Sequence, residues 1–552
     1  MARRSKNHLY FFALGVGVGL FSIAISIMLR EFSVGLFLPE IGSELLFSLT
    51  PGEFESQAIE TLGPAAKYSA FAGSIIVTII VFGLFGILLG NLFAKLKLQK
   101  YIIKFLTSFS ITFAFFIILT LIIELIIQSR SGVEATSIQV IVLSFLPTQI
   151  AFGLIFSLFF KQENETKDKK ESIQKKAVDS VNSQVNYDRK EFLRLLFVST
   201  ISIPIILFGL TRLFSTNDVP TTQSDAIDLL PKSSSIPPEF QDPYLEQLIG
   251  SEVTPTYLFY KIDISPITPE IDVNSWSLKI KGNVGNPLEL RYDDIKSMPV
   301  VEEYATLACI SNKIGGDLIG TALWKGVRLK DILEKAQVGQ NAVYIVFRCS
   351  DGYDVGIPLN KGLMDGTILA YEMNKETLTN KHGFPVRAIV PGLYGMMNPK
   401  WITEIELVND VYQGYWQRNG WDNVAEYNTS SSIVIPGKAQ IRNRFRGLDE
   451  MSLTAAKSED EKVPIAGIAF GGDRGISKIE VSVDGGETWK TAQIKEPLSK
   501  YTWVLWTSGF TPPGVKNYKI VVRATDKTGK TQTSEINKPF PNGSTGYHTI
   551  SV

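Results

Sequence analysis

The chain has 552 residues, with 55 Lys and Arg against 55 Asp and Glu, so its formal net charge is zero. A chain of this length is too long for one hydrophobic core, and its neutral charge gives no reason to expect nucleic-acid binding. Only two cysteines and three histidines occur. Difficult redox chemistry would therefore depend on one soft ligand and on a cofactor that brings its own ligands.

The long apolar segments lie in the first 214 residues. Five of them can cross a hydrocarbon core of about 30 Å as helices, and we predict spans at about 8–29, 69–93, 105–127, 138–160 and 193–214. Lys and Arg concentrate in the N-terminal tail, after the second span and after the fourth, and short basic loops stay in the cytoplasm. The sequence therefore predicts a multi-pass cell-membrane domain over 1–214 with a cytoplasmic N terminus and an extracytoplasmic remainder.

The fifth predicted span follows Asp188-Arg-Lys-Glu-Phe-Leu-Arg194, which resembles a twin-arginine export signal. Lys190 stands in place of the second arginine, so an ordinary basic flank is the alternative. Residues 1–220 contain one histidine, His8, and no cysteine, and the chain has no CxxCH. This pattern excludes haem held by two membrane histidines or attached covalently.

Three further segments follow the predicted spans. Residues 215–240 are rich in Pro, Ser and Asp, which is typical of a linker. Residues 241–435 alternate short strand and helix patterns, as at 276–281 and 329–334, and this alternation predicts an α+β domain. Residues 436–552 show spaced alternating strands separated by turns, as at 463–470, 476–483 and 501–506, which predict an all-β, immunoglobulin-like sandwich.

One of the two cysteines, Cys309, lies in Thr306-Leu-Ala-Cys-Ile-Ser-Asn312. A lone cysteine is more often a small buried apolar residue than a ligand. The blocks around it, however, resemble the sulfite-oxidase family of molybdopterin-dependent oxidoreductases over 275–408, and the sandwich resembles that family's dimerisation domain. The other matching blocks begin at Gly320, Leu369, His382, Tyr394 and Gly546.

The resemblance implies a role for each matching residue. Cys309 would be the thiolate ligand of molybdenum, to which a soft ligand is suited. His382, Arg387 and Lys400 would hold the pterin and its phosphate, a task that suits the fork of Arg and the point charge of Lys. Two further positions would also contact this molybdenum–molybdopterin cofactor: Asn312 through a hydrogen bond, and Gly395 through its backbone.

The resemblance is weaker at the substrate position. Trp421 stands where sulfite oxidases carry a tyrosine near the metal, and Lys261 falls where an arginine would be expected. Both residues are therefore candidates for substrate contact, with the alternative that they only cover the pterin. Sulfite is a small dianion, so these changes leave open a larger and less charged substrate such as a sulfoxide.

The resulting prediction is a membrane-anchored molybdopterin oxidoreductase that transfers an oxygen atom and two electrons to or from sulfite or a sulfoxide-like substrate. Electrons would pass to or from a separate carrier or a quinone, and the sandwich would pair two copies of the chain. The competing hypothesis is a metal-free cell-surface binding or sensory protein with the same fold. Cys349 matches no family role, and a disulfide with Cys309 would remove the proposed metal ligand.

Overall fold

The structure is a computed structural model that describes residues 2–31, 35–63, 65–131, 136–160, 200–211, 238–241, 243–265, 267–436, 440–441, 463–510 and 518–551. The described residues divide into two compact units. The first contains those up to Leu49, those within Lys67–Thr216, and Ser265–Ile267. The second contains Thr50–Ala66, the described residues up to Ile264, and those from Thr268 onward.

The first unit is helical. Its helices are α1 (Ala2–Glu31), α2 (Leu38–Leu49), α4 (Ala65–Leu96), α5 (Tyr101–Ser131), α6 (Ile138–Phe159) and α7 (Thr200–Thr211), whereas α3 (Gly52–Leu62) belongs to the second unit.

Among the described residues, four helices are long and apolar enough to cross a membrane: His8–Arg30, Ala65–Leu96, Tyr101–Gln128 and Ile138–Phe159. They confirm the first four predicted spans as long apolar helices. For the fifth, only the short apolar helix α7 is described. The rest of that predicted span, together with the Asp188–Arg194 motif, lies outside the described residues, so the fifth span stays a prediction.

Helices α1 and α4 approach each other closely through two glycines. A Cβ atom on Gly86 would lie 2.1 Å from the Phe11 carbonyl oxygen and 2.8 Å from the Cα of Gly15. Small residues allow helix backbones to pack at this distance in an apolar environment. Gly15 and Gly86 therefore define the crossing point of the two helices.

Within its described residues, the second unit contains, besides α3, five α-helices and eighteen strands. The helices are α8 (Pro243–Gly250), α9 (Tyr292–Lys296), α10 (Leu329–Ala336), α11 (Leu359–Gly362) and α12 (Tyr415–Arg418). The strands are β1 (Ser277–Gly282), β2 (Leu288–Arg291), β3 (Val300–Ala308), β4 (Ile319–Arg328), β5 (Tyr344–Cys349), β6 (Asp354–Pro358), β7 (Ile368–Met373), β8 (Glu376–Thr377), β9 (Arg387–Ile389), β10 (Ile402–Val408), β11 (Ser430–Ile435), β12 (Val463–Phe470), β13 (Ile476–Ser482), β14 (Lys490–Thr491), β15 (Gln493–Ile494), β16 (Val504–Phe510), β17 (Lys519–Asp526) and β18 (His548–Ser551).

Strands β1 to β10 form two sheets, which confirms the predicted mixture of short strands and helices. The first has the order β2-β1-β10-β5-β6, and only its β1–β10 pair is parallel. The second has the order β3-β4-β7-β8, with β9 paired to β7. Helix α10 buries Leu329, Ile332, Leu333 and Ala336, a spacing that places all four on one helical face against the core.

Strands β11 to β18 form two four-stranded sheets, with orders β11-β12-β16-β15 and β14-β13-β17-β18. Their shared core includes Ile433, Ile479, Trp506 and Val522. The predicted strand at 501–506 begins only at Val504, because a turn precedes it in which the Thr502 N–H donates to the Ser499 carbonyl.

A buried ion pair joins the segment after α8 to this two-sheet part. The Nζ atom of Lys495 lies 2.8 Å from Oε2 of Glu252, and both side chains are almost fully buried. The Trp503 indole N–H also donates to the backbone carbonyl of Glu252, at 3.1 Å. These contacts join the segment after α8 to the sheets of strands β11 to β18 within one unit.

Candidate active site

Cys309 follows directly after strand β3. Its N–H donates to the Leu318 carbonyl at 2.9 Å, and this hydrogen bond closes the loop between β3 and β4. The residue is 7% exposed. Burial raises the pKa of its thiol to about 11, and hydrogen bonds from Ser311 only partly offset this effect. The thiol is therefore protonated at neutral pH unless a positive centre stabilises the thiolate.

A cavity of about 810 Å³ lies beside Cys309. Seven of the eight predicted site residues line it: Lys261, Cys309, His382, Arg387, Gly395, Lys400 and Trp421.

Asn312 is the exception. Its Oδ1 atom accepts the Leu318 N–H at 3.0 Å and so closes the loop between β3 and β4. The residue lines a different, smaller cavity together with Lys313 and Ser431. The structure therefore assigns its side chain to the loop that carries Cys309 and does not bring it into the Cys309 cavity.

Arg387 places a buried cation in the cavity wall. Nη1 donates to the His382 carbonyl at 3.2 Å and Nη2 to the Asn398 carbonyl at 3.3 Å, while the guanidinium lies 5.0 Å from the ring centre of Trp324. Nε has no partner, and no described carboxylate pairs with the side chain. Burial lowers its pKa to about 10, which still leaves it charged at neutral pH. A buried cation balanced only by carbonyl dipoles favours an anionic ligand.

His382 lies in a short 3-10 turn that ends at Gly383, whose φ of +106° is in the left-handed region that glycine adopts easily. The His382 Nε2 atom is 3.0 Å from the Thr256 carbonyl oxygen. Since a carbonyl only accepts, Nε2 carries the proton. Burial and the nearby cations Lys261 and Arg387 hold the His382 pKa well below its ordinary value. The ring is therefore neutral, with Nδ1 able to accept a hydrogen bond.

Lys400 is paired with a carboxylate that no motif predicted. Its Nζ lies 2.9 Å from Oδ2 of Asp263 and 3.2 Å from the Lys381 carbonyl oxygen. Burial, together with the neighbouring carboxylate of Asp263, raises the pKa of a second cavity carboxyl, Asp351, to about 7. The charge of Lys400 is thus largely compensated within the protein, whereas that of Arg387 is not.

Aromatic rings form another wall of the cavity. The Trp421 ring meets Phe540 edge to face with centres 5.2 Å apart, and Trp416 at 6.4 Å. The buried indole N–H of Trp421 has no partner. Tyr353, which also lines the cavity, donates its hydroxyl to the Met396 carbonyl at 2.6 Å. This wall presents apolar faces and one unsatisfied donor.

Gly395 is required by close packing. A Cβ atom at this position would lie 2.3 Å from the hydroxyl oxygen of Tyr260 and 3.3 Å from the Ala308 carbonyl oxygen. Any side chain would therefore displace Tyr260, which lines the same cavity. The packing of Tyr260 thus accounts for glycine at this position, and the contact of its backbone with the cofactor stays a prediction.

Sequence reasoning missed several cavity residues: Ile59, Asp263, Asp351, Tyr353 and Trp416. They come from distant parts of the chain. Trp416 carried a signal, since it lies in the segment 415–421, which resembles sulfite oxidases and ends at Trp421. Asp351 carried a weaker one, since it lies two residues after Cys349, just beyond a predicted strand. Ile59 carried none.

The comparisons with known proteins agree with this site. A family model described as an oxidoreductase molybdopterin binding domain matches residues 265–416, and one described as a Mo-co oxidoreductase dimerisation domain matches 424–540.

Three relatives show how far the similarity extends. The sulfite oxidase of Arabidopsis thaliana is 28% identical over 347 residues, which cover 53% of this chain and 86% of the relative. The mitochondrial sulfite oxidase of Macaca fascicularis is 31% identical over 336 residues, 53% of this chain and 60% of the relative. The uncharacterized oxidoreductase YuiH of Bacillus subtilis is 35% identical over 150 residues, 27% of this chain and 74% of the relative. The chain thus spans about 60% of the length of the mitochondrial relatives it matches.

Proposed function

Because the chain belongs to the sulfite-oxidase family of molybdopterin-dependent oxidoreductases, we propose that it transfers an oxygen atom and two electrons to or from a small sulfur-oxo substrate. The observation that carries this proposal is the single cavity that gathers Cys309, Arg387, His382 and Trp421. A metal-free binding protein would have no need to bury an uncompensated guanidinium beside a thiol, since the charge of the guanidinium is costly to bury.

The cavity residues fit a molybdopterin cofactor. Cys309 offers a thiol that becomes a thiolate only beside a positive centre, and Arg387 offers a buried cation with an unpartnered Nε. Gly395 leaves the backbone close to the ligand. When bound, the molybdenum supplies the oxygen-atom and electron transfer.

The protein residues have distinct tasks around that centre. Cys309 would ligate the metal, and Arg387, with help from Lys400, would hold the anionic end of the pterin. Neutral His382 would accept a hydrogen bond at Nδ1. The rings of Trp416 and Trp421 would exclude water from the reacting atoms.

Two substrates are candidates, and the structure offers support for each. The aromatic wall of Trp416 and Trp421 favours an organic sulfoxide, because apolar rings do not replace the hydration of a dianion. Lys261 beside His382 favours sulfite, the substrate class that the names of two relatives indicate. Direct comparison of the two substrates decides between them.

The location of α3 supports an extracytoplasmic site. This helix lies between the first two predicted spans, yet it belongs to the unit that contains Cys309. A loop and a domain in one compact unit must be on the same side of the membrane. An even number of membrane crossings must then separate α3 from the Cys309 region. The second to fifth predicted spans provide four crossings, whereas without the fifth span there would be three. The five-span prediction, with a cytoplasmic basic tail, therefore places this unit outside the cell membrane.

The remaining predictions complete the proposal. We infer that 436–552 is an immunoglobulin-like sandwich that pairs two copies of the chain, as the match to a dimerisation domain suggests. The boundaries 1–214, 215–240 and 241–435 stay predictions. Electrons would be exchanged with a separate carrier or with a quinone at the membrane surface.

Metal analysis of the detergent-solubilised full-length protein tests the proposal, with Cys309→Ser compared with Cys349→Ser. Cys349 is a matched control because it is also buried and unpaired but does not line the cavity. We expect about one molybdenum per chain in the wild type and in Cys349→Ser, with turnover of methionine sulfoxide or sulfite that only Cys309→Ser abolishes. A folded wild-type protein without molybdenum, or an active Cys309→Ser variant, would refute it.

A further inference from the structure

Helix α3 is a part of the catalytic unit that neither family model covers. The models begin at residue 265, whereas α3 spans Gly52–Leu62. The segment Thr50–Ala66 nevertheless clusters with the sheets that carry the active site. The catalytic unit thus includes an element that lies outside both regions matched by the family models.

One face of α3 is packed against this unit. Gly52, Glu55 and Ser56 are buried, and Ile59 is half-buried. These positions follow the spacing i, i+3, i+4 and i+7, which places them on one side of a helix. The opposite side is in solvent, with Phe54 64% exposed.

The N-terminal end of that face packs against residues that support the aromatic wall of the cavity. A Cβ atom on Gly52 would lie 2.5 Å from Cε2 of Phe540 and 2.6 Å from the Asn419 carbonyl oxygen. Phe540 in turn packs edge to face on Trp421, a cavity residue. Gly52 therefore allows α3 to lie directly on the residues that support Trp421.

The C-terminal end of the same face reaches the cavity itself. Ile59 lines it together with Cys309, Trp416 and Trp421. Its branched side chain adds an apolar surface to the aromatic wall and has no polar atom with which to bind an anionic group. A residue of this kind sets the size and polarity of what can enter.

We propose that α3 is one wall of the substrate cavity and that Ile59 limits the size of the substrate. This inference rests on the proposed function, since it concerns the substrate of that same site. The first loop of the membrane domain thereby contributes to substrate selection. Ile59 is a specificity-determining residue and takes no part in the bond changes.

The kinetic test compares Ile59→Trp with Phe54→Trp, the same substitution on the exposed face of α3. Dimethyl sulfoxide and methionine sulfoxide serve as a small and a larger probe for the full-length, molybdenum-loaded protein. We expect Ile59→Trp to lower kcat/KM for methionine sulfoxide by about tenfold or more, mainly through KM, with a much smaller effect on dimethyl sulfoxide. Phe54→Trp should match the wild type. Equal kinetics of the two variants with both probes would overturn the inference.

A labelling test requires no turnover. The two native cysteines are buried, so Ile59→Cys and Phe54→Cys each add one reactive thiol. We expect position 54 to react with both a small methanethiosulfonate and a polymer-linked maleimide, and position 59 to react with the small reagent only. Equal reaction of position 59 with both reagents would overturn the inference. If wild-type protein turns over neither sulfoxide, the proposed function fails on that substrate while the labelling still decides whether Ile59 faces an enclosed cavity.

Discussion

Removing the positive partner of Glu252 provides a quantitative test of how the second unit is held together. The variant Lys495→Met leaves the Glu252 carboxyl buried at 0% side-chain exposure without its ion pair. In the wild type, burial raises the pKa of Glu252, and Lys495 offsets part of that rise. Without Lys495 the pKa rises further.

The magnitude follows from the distance and from protonation. At 2.8 Å the attraction is about 6 kcal/mol with an effective dielectric constant of 20, but dehydrating both ions costs several kcal/mol each. The intact pair therefore contributes little net stability, whereas breaking it costs about 3 to 5 kcal/mol. Protonation of Glu252 limits this cost. From the ordinary pKa of 4.5, neutralising the carboxyl costs about 1.4 kcal/mol per pH unit, which is about 3.4 kcal/mol at pH 7 and about 0.7 kcal/mol at pH 5.

The direction of the pH dependence follows from the raised pKa of Glu252. A folded state that prefers the neutral carboxyl loses stability as pH rises above 4.5, so Lys495→Met should be destabilised much more at pH 7 than at pH 5. Urea denaturation of the full-length protein, followed by tryptophan fluorescence, measures the difference. Trp503 is fully buried and bonded to the Glu252 carbonyl, so it reports on this region.

Two comparisons complete the experiment. Replacing both Glu252 and Lys495 with Met should restore stability to within about 1 kcal/mol of the wild type, since the double change leaves no charge unpaired. Lys527→Met, on the exposed surface of the sandwich, should have no measurable effect. A destabilisation of Lys495→Met that is equal at pH 5 and pH 7 would refute this reasoning.

Three further predictions concern the other parts of the chain. Gly86→Leu should abolish stable folding in detergent, because a side chain there meets the Phe11 carbonyl oxygen. Gly73→Leu on the same helix is the control, since nothing lies within 4 Å of a Cβ atom added there. Equal thermal stability of the two variants would contradict the close crossing of α1 and α4. Burial raises the pKa of Glu55 to about 8 from 4.5, so its ionisation costs the folded state nothing below pH 4.5 and at most about 5 kcal/mol above pH 8. The Tm of Glu55→Gln should therefore exceed that of the wild type by an amount that grows between pH 5 and pH 8. A Tm difference that is constant with pH would count against this prediction. After dialysis, the molybdenum content of Arg387→Lys should be lower than that of the wild type by about tenfold or more, because an ammonium cannot replace the guanidinium bonds to the His382 and Asn398 carbonyls. Metal retention equal to that of the wild type would argue against a cofactor role for Arg387.

The sequence predicted those features that depend on local pattern. Apolar length predicted α1, α4, α5 and α6, because a membrane span is a property of consecutive residues. Alternation predicted β12 and β13 almost to the residue. The strand expected to begin at 501 was placed too early because Ser499 forms a turn there, and that turn depends on hydrogen bonds that hydrophobic alternation does not encode.

The candidate site was predictable only where residues lie in recognisable blocks. Cys309, His382, Arg387 and Gly395 come together in one cavity, as their blocks implied. The side chain of Asn312, close in sequence to Cys309, turns instead to the Leu318 N–H. The partner of Lys400 is Asp263, which lies 137 positions away, and no spacing rule connects them.

Helix α3 also affects the order in which the protein can fold. Ile59 and Phe259 line the same cavity although 200 positions separate them, and four of the five predicted spans lie between them. Contacts of such high sequence separation form late and slowly. In the proposed topology, the helix is synthesised before these four spans and waits on the outer side until the rest of its unit has been delivered there. A fragment that begins after residue 215 would contain both family-model regions and would still lack one wall of its cavity. Assembly of the site is therefore coupled to membrane insertion of the same chain.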